Sequence, residues 1–472
     1  MKILFVASEV SPFAASGGLA DVAGSLPKAV TKSGNDCRVV MPLYALKMDK
    51  FKGELEYITS FSVPVAWRNQ YCGVFKIKYE GVTYYFLDNE YYFMREGLYG
   101  YYDDAERFSF FSRAVLEMLS YIDFYPDIIH CNDWQSALVP VYYDIFYRYR
   151  QGLENIKTVF TIHNILYQGQ YGMELLNEIL GIPMYHANLL EYDGDLNFMK
   201  GAIEVSDKIT TVSPTYALEI LDPYFGHGLD RILRNKQYKT CGFLNGIDTE
   251  SYNPKTDKEI YANYDAADKK GKAICKKRLL EDMGLPDGKE PVIGIVTRFV
   301  KHKGIDLIRY GFDSIIGMGY KVVILGSGDK EYEDFFIDMK NRYPDKVAVT
   351  LGFRPSISRK VYAGSDMFLM PSETEPCGLA QMISLRYGTI PIVRETGGLH
   401  DSIKDCGDKG GNGFTFKTFN GDDMLNAVWR ARELYDKRPS WGKLVTSALK
   451  SDFSWEQSAE LYLGLYRELC GQ

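Results

Sequence analysis

Nothing in the sequence pairs its cysteines. Cys37, Cys72, Cys131, Cys241, Cys275, Cys377, Cys406 and Cys470 are scattered, with no Cys-x-x-Cys among them. That spacing argues against a zinc site or a disulfide framework and suits free thiols in a reducing compartment. No His-x-x-x-His occurs, and Asp193-Gly194-Asp195 reads as a solvated turn rather than a magnesium site; no metal and no cofactor are expected. Long hydrophobic runs are missing too. No apolar stretch approaches the ~20 residues of a membrane span. The run Ile3–Ala7 stops at Ser8-Glu9, short of the roughly 7–15 residues of a signal core. Cationic excess is absent: 55 Lys and Arg stand against 62 Asp and Glu, a net charge of −7. That balance excludes a nucleic acid or an anionic membrane held by bulk charge. A Walker P-loop and a Gly-x-Gly-x-x-Gly after the first strand are also lacking, which weakens kinase and dehydrogenase readings. The expectation is a cytoplasmic globular protein of two or three domains, with its oligomeric state left open.

What is present is a recurrence of short β-rich apolar runs separated by helical patterns. The first half offers Ile3–Ala7, Ile128–His130, Thr158–Ile162, Ile209–Val212 and Cys241–Leu244. The second offers Val292–Thr297, Lys321–Leu325, Val347–Leu351, Met367–Met370 and Ile390–Val393. Runs of this kind read as parallel strands buried on both faces. Their alternation with helices predicts an α/β protein with two doubly wound sheets. The boundary is expected near Asn245–Pro254. The domains are then 1–244, 245–450 and a final helix in 451–472. Leu461, Leu465 and Leu469 give that helix an apolar stripe, with Tyr462 and Tyr466 beside it.

In open parallel sheets, ligands bind beyond the carboxyl ends of the strands. Polar groups stand there in both halves: Ser8-Glu9, His130–Trp134 with Asp133, His163-Asn164, Asn245, then Arg298, Lys301 and Lys303, and finally Glu373, Glu375 and Thr396. Two sheets with these edges facing each other would form one interdomain cleft. Arg298 and Lys303 suit a diphosphate, the first by bidentate hydrogen bonds and the second as a point charge; two solvated surface cations remain an equal reading of the spacing. Asp133 and His163 suit sugar hydroxyls, although a lone histidine is more often structural. One echo links the halves, Ser16-Gly17-Gly18-Leu19 with Thr396-Gly397-Gly398-Leu399. Each copy could open a helix and offer backbone N–H groups to a ligand.

The stretch Lys2–Val10 running into Gly17-Gly18-Leu19-Ala20-Asp21-Val22 resembles the opening of bacterial glycogen synthases and plant starch synthases. His130–Trp134, Thr161–Asn164, Asn245–Asp248, Glu375–Leu379 and Thr396–Leu399 are similar to further motifs of that family, in order. The resemblance implies two Rossmann-like domains in the GT-B architecture, with the last helix crossing back to the first. It implies transfer of glucose from a nucleotide-glucose, usually ADP-glucose, to the nonreducing end of an α-1,4-glucan, with retention of configuration and no metal.

The resemblance also implies roles. Arg298 and Lys303 would bind the diphosphate. Ser16, Gly17, Gly18, Thr396, Gly397 and Gly398 would meet the donor. Glu375 would lie by the donor glucose with Cys377, Gly378 and Leu379 around it, and with Asn245 nearby. Asp133 and His163 would stand on the sugar side, Trp134 near the acceptor, and Phe353 on the base. Where the family usually carries Lys-Thr before the first Gly-Gly, this chain has Ala15-Ser16, so one phosphate-side cation is missing. The alternatives are therefore a UDP-glucose-using enzyme, or a glucan-binding homologue impaired by Ala15.

Overall fold

A computed structural model describes residues 1–122, 124–352 and 354–471. The chain forms two compact units, one of Met1–Gly246 with Trp455–Gln472 and the other of Ile247–Ser454. Its crossings fall at 246/247 and 454/455, rather than at the 244/245 and 450/451 read from the sequence. The reason is local: Ile247 pairs in parallel with Ser454, and its N–H donates to Phe453 O at 2.8 Å. Both crossing segments are thereby tied within the second unit.

The first unit contains β1 (Lys2–Val6), β2 (Asp36–Pro42), β3 (Glu56–Val65), β4 (Arg68–Tyr79), β5 (Val82–Asp88), β6 (Ile128–Asn132), β7 (Lys157–Ile162), β8 (Gln170–Tyr171), β9 (Glu191–Tyr192), β10 (Asp195–Asn197), β11 (Lys208–Thr211) and β12 (Thr240–Gly242). Among the described residues nine of these form one sheet, in the order β12-β11-β7-β6-β1-β2-β5-β4-β3. The strands from β12 to β5 are parallel, while β4 and β3 return antiparallel. Sequence reading found β1, β6, β7, β11 and β12 and missed β2 to β5. The apolar heart of β2 is only Val39-Val40-Met41, and β3 alternates buried Phe61, Val63 and Val65 with exposed Ser60 and Ser62. Strand β3 is therefore covered on one face and lacks the continuous apolar run that marks a strand buried on both, whereas β2 is buried on both faces but its run is cut to three residues by Arg38 and Pro42. Strands β8, β9 and β10 make a small separate sheet. Asp193 and Gly194 turn between β9 and β10 with φ of 53° and 90°.

The second unit contains β13 (Val292–Phe299), β14 (Lys321–Gly328), β15 (Val347–Leu351), β16 (Met367–Met370), β17 (Ile390–Arg394) and β18 (Phe414–Phe416). They form an all-parallel sheet ordered β15-β14-β13-β16-β17-β18. The order runs outward from β13 in one direction and from β16 in the other. Between them lies the switch point at which doubly wound sheets open a crevice. In the first sheet the same point lies between β1 and β6.

The final helix, Trp455–Cys470, packs within the first unit. Of the expected stripe Leu465 is buried with Tyr462 and Tyr466 beside it, Leu469 is half-buried and Leu461 falls outside. Leu461 is 51% exposed, whereas Ala459, Tyr462, Leu463 and Tyr466 are buried. The tyrosines prevail because they bury large rings and still satisfy their hydroxyls. Tyr462 meets Phe243 edge-on at 4.9 Å, and the Tyr466 hydroxyl bonds His130 Nδ1 at 2.6 Å.

Candidate active site

In the second unit the strand ends converge on one ion pair. Lys303 ends a short 3-10 turn, Lys301–Lys303, directly after β13, and Glu375 lies in the loop after β16. Lys303 Nζ donates to Glu375 Oε2 at 2.7 Å, and Ser372 Oγ donates to the same oxygen at 3.0 Å. Gly304 makes this approach possible. It has φ 74°, and a Cβ there would stand 2.0 Å from Pro371 O. Arg298 is exposed at the end of β13 and has no side-chain hydrogen bond or ion pair among the described residues. Two cations and one buried carboxylate thus gather at the switch point, one cation engaged and one free.

The loop after Glu375 is held from within. Gln381 Nε2 donates to Cys377 O, Gly378 O and Ser402 Oγ at 3.1, 3.0 and 3.0 Å. The N–H of Gly398 donates to Glu375 O and Pro376 O, both at 3.1 Å. Cβ atoms at Gly397 and Gly398 would sit 2.1 Å from Glu375 O and Cys377 O. Thr396, Gly397 and Gly398 are buried, whereas Leu379 is half-buried at the start of helix Ala380–Arg386. The glycines here serve close packing beneath the Glu375 loop, and the Gly398 N–H is already engaged.

The echo in the first unit is built differently. Ala15, Ser16, Gly17 and Gly18 are exposed, and nothing stands within 4 Å of a Cβ at Gly18. Gly17 caps the helix Gly18–Lys32 in an extended conformation with no side-chain cap. The loop is anchored by a residue given no role from the sequence. Glu9 Oε2 accepts from Ser16 N at 2.5 Å and from Ser16 Oγ at 2.6 Å. Burial pushes the Glu9 carboxyl upward, opposed by these two hydrogen bonds.

Asp133, Trp134 and His163 come together at the ends of β6 and β7. Asp133 has φ 56° and ψ 176°, a conformation that costs a non-glycine residue of the order of 1–3 kcal/mol. It aims the carboxylate so that Oδ1 accepts from His163 N at 2.8 Å and Asn164 N at 3.4 Å. Burial pushes the Asp133 carboxyl up to about 7, against the pull of those bonds. Burial also holds the His163 imidazole neutral, lowered to about 3. Trp134 is nearly buried, its ring against Phe108, Tyr171 and Phe198 at centroid distances of 5.2, 6.1 and 6.4 Å. It shapes the floor beside Asp133. Asn245 is 5% exposed, and its Oδ1 is buried with no hydrogen-bond partner among the described residues. An orphaned acceptor of this kind calls for a donor that the described residues do not supply.

Asn132, quoted within His130–Trp134, was given no role of its own from the sequence, and Ser372 was passed over although it lies close to the quoted Glu373 and Glu375. The signal available was their position at strand ends. Phe353 lies outside the described residues.

The starch synthase catalytic domain model matches residues 2–235, and the glycosyl transferases group 1 model matches residues 277–445. A glycogen synthase of Bacillus cereus is 49% identical, covering 99% of this chain and 100% of its own length. A glycogen synthase of Anoxybacillus flavithermus is 48% identical, covering 99% of this chain and 98% of its own. The catalytic domain of starch synthase IV from Arabidopsis thaliana, solved bound to ADP and acarbose, superposes with a TM-score of 0.91. It is 36% identical, with 100% of this chain and 99% of that one covered. These matches span both Rossmann-like units and their motifs: the chain belongs to the glycogen synthase and starch synthase family of glycosyltransferases, with the GT-B fold.

Proposed function

We propose that the protein transfers glucose from ADP-glucose to the nonreducing end of an α-1,4-glucan, with retention of configuration and without a metal. The observation that carries this reading is the cluster at the β13/β16 switch point: exposed Arg298, and Lys303 paired with buried Glu375 at 2.7 Å. Arg298 would grip the donor diphosphate bidentately, and Lys303 would share its charge between Glu375 and the phosphates. Both would stabilise the diphosphate as it departs. Glu375 would stand by the glucose as positive charge develops at the anomeric carbon. Cys377, Gly378, Leu379, Thr396, Gly397 and Gly398 hold its loop and would border the donor. Gly17 and Gly18, in the loop that Ser16 ties to Glu9, would meet the donor in the first unit. Asp133 and His163 would bind sugar hydroxyls, and the orphan Oδ1 of Asn245 would accept from another. Trp134 would wall the acceptor side. Transfer to the same face, through an oxocarbenium-like state, asks mainly for positioning and electrostatics.

Position 15 favours a second donor reading. Ala15 is exposed and supplies no cation to the loop, so ADP-glucose and UDP-glucose are the donors to compare. Incubating the protein with each labelled donor and glycogen, and counting polymer-bound label, tests both readings. ADP-glucose is expected to be the better donor, and Ala15→Lys is expected to lower its KM. No incorporation from either donor would overturn the proposal.

A further inference from the structure

We infer that Asn132 is a positioning residue, which fixes His163 as the Nε2–H tautomer and so leaves its Nδ1 lone pair to accept a substrate hydroxyl. Asn132 ends β6 and is fully buried. Its side-chain amide has no freedom to turn over. Nδ2 donates to Val6 O at 3.0 Å and to His130 O at 3.3 Å. Two carbonyl oxygens demand the NH2 group there; the flipped amide would place oxygen against oxygen. Oδ1 is therefore the atom that faces His163 Nε2, at 2.9 Å. An amide oxygen only accepts, so Nε2 carries the proton. In a neutral imidazole the other nitrogen is then an acceptor.

That other nitrogen, Nδ1, has no protein partner among the described residues, and His163 is partly exposed. The main chain of His163 is held as well, by its N–H to Asp133 Oδ1 at 2.8 Å. His130 shows the contrasting case. It is fully buried, and both its ring nitrogens are engaged, with Tyr466 at 2.6 Å and Thr161 at 2.5 Å. One histidine is closed into the structure, while the other is oriented with one acceptor left over. A hydroxyl donor is what that acceptor would take, and a sugar carries several. For the identity of the hydroxyl, and only there, the inference rests on the sugar-transfer reading.

The chain has six histidines, so 15N-imidazole labelling of the full-length protein gives a tractable spectrum. Comparison with His163→Gln assigns the signals. The expected result is a protonated Nε2 and an unprotonated Nδ1 at His163. Asn132→Leu and Asn132→Asp both remove the two amide donors, but only the aspartate retains an acceptor facing Nε2. Asn132→Asp is therefore expected to keep Nε2 protonated, and Asn132→Leu to populate the Nδ1–H form. With the leucine, glucose transfer should fall at least about tenfold, the scale of one misdirected hydrogen bond. A purely structural amide would make the two variants alike. A parent spectrum with Nδ1 protonated would overturn the inference, as would a folded Asn132→Leu protein with its tautomer unchanged. If the leucine variant does not fold, the parent and Asn132→Asp spectra decide. The spectra need no turnover, so they separate this inference from failure of the transfer reading.

Discussion

Lys303 and Glu375 hold each other in a largely buried pair at 2.7 Å, with side-chain exposures of 15% and 8%. Removing one partner leaves the other desolvated without compensation. Lys303→Ala is thus expected to lower glucose transfer by roughly 10²–10³ and to cost about 3 kcal/mol of stability. Combining it with Glu375→Gln should recover most of the stability and none of the activity. Initial rates and urea unfolding of the single and double variants check this, and an active double variant would refute it. Asp133 gives a pH signature. Its carboxyl sits at about 7 in the folded protein, above the ordinary aspartate value. The folded state therefore binds the proton more tightly, and the stabilising effect of protonation is lost as pH rises from about 4 through about 7. Asp133→Asn cannot ionise. It should match the parent in stability near pH 4 and exceed it above pH 7 by up to about 4 kcal/mol. Thermal unfolding across that range measures the difference.

At the scale of elements, the two Gly-Gly-Leu segments read alike in sequence and differ in use. A Cβ at Gly18 meets nothing within 4 Å, while one at Gly398 would lie 2.1 Å from Cys377 O. Gly18→Ala should leave the melting temperature unchanged or raise it slightly, since alanine favours the helix by roughly 0.5–1 kcal/mol. Gly398→Ala should cost about 3 kcal/mol or more, because backbone rather than a flexible side chain must move. Equal melting temperatures for the two variants would contradict the close packing beneath the Glu375 loop. The strand ends show the same division. That Asp133, His163 and Lys303 follow strands was legible from the apolar runs before them. That Asn132 locks His163, or that Lys303 reaches Glu375, was not. Those pairings join β6 to β7 and β13 to β16, and neighbours in a sheet are set by topology rather than by order along the chain.

For the whole molecule, one unit is continuous and the other is not. Residues 247–454 contain the complete six-stranded sheet, whereas residues 1–246 need the helix Trp455–Cys470. Expressed alone, 247–454 is expected to unfold cooperatively, and 1–246 to melt lower or aggregate, because His130 and Phe243 lose Tyr466 and Tyr462. Circular dichroism melts of the two fragments test this, and a 1–246 fragment as stable as the full chain would argue against it. Among the described residues no helix is long and apolar enough to cross a membrane. The α/β class, the parallel strands, the polar residues at their ends and the family itself were all written in local patterns: apolar runs, glycines and short motifs that need no partner to be recognised. The antiparallel strands β3 and β4, the partners of Tyr462 and Tyr466 in Phe243 and His130, the lysine–glutamate pair and the tautomer of His163 came only with the folded chain. Each is a relation between segments distant along the chain, and hydrogen bonds and packing choose such partners only once the backbone has brought them within reach.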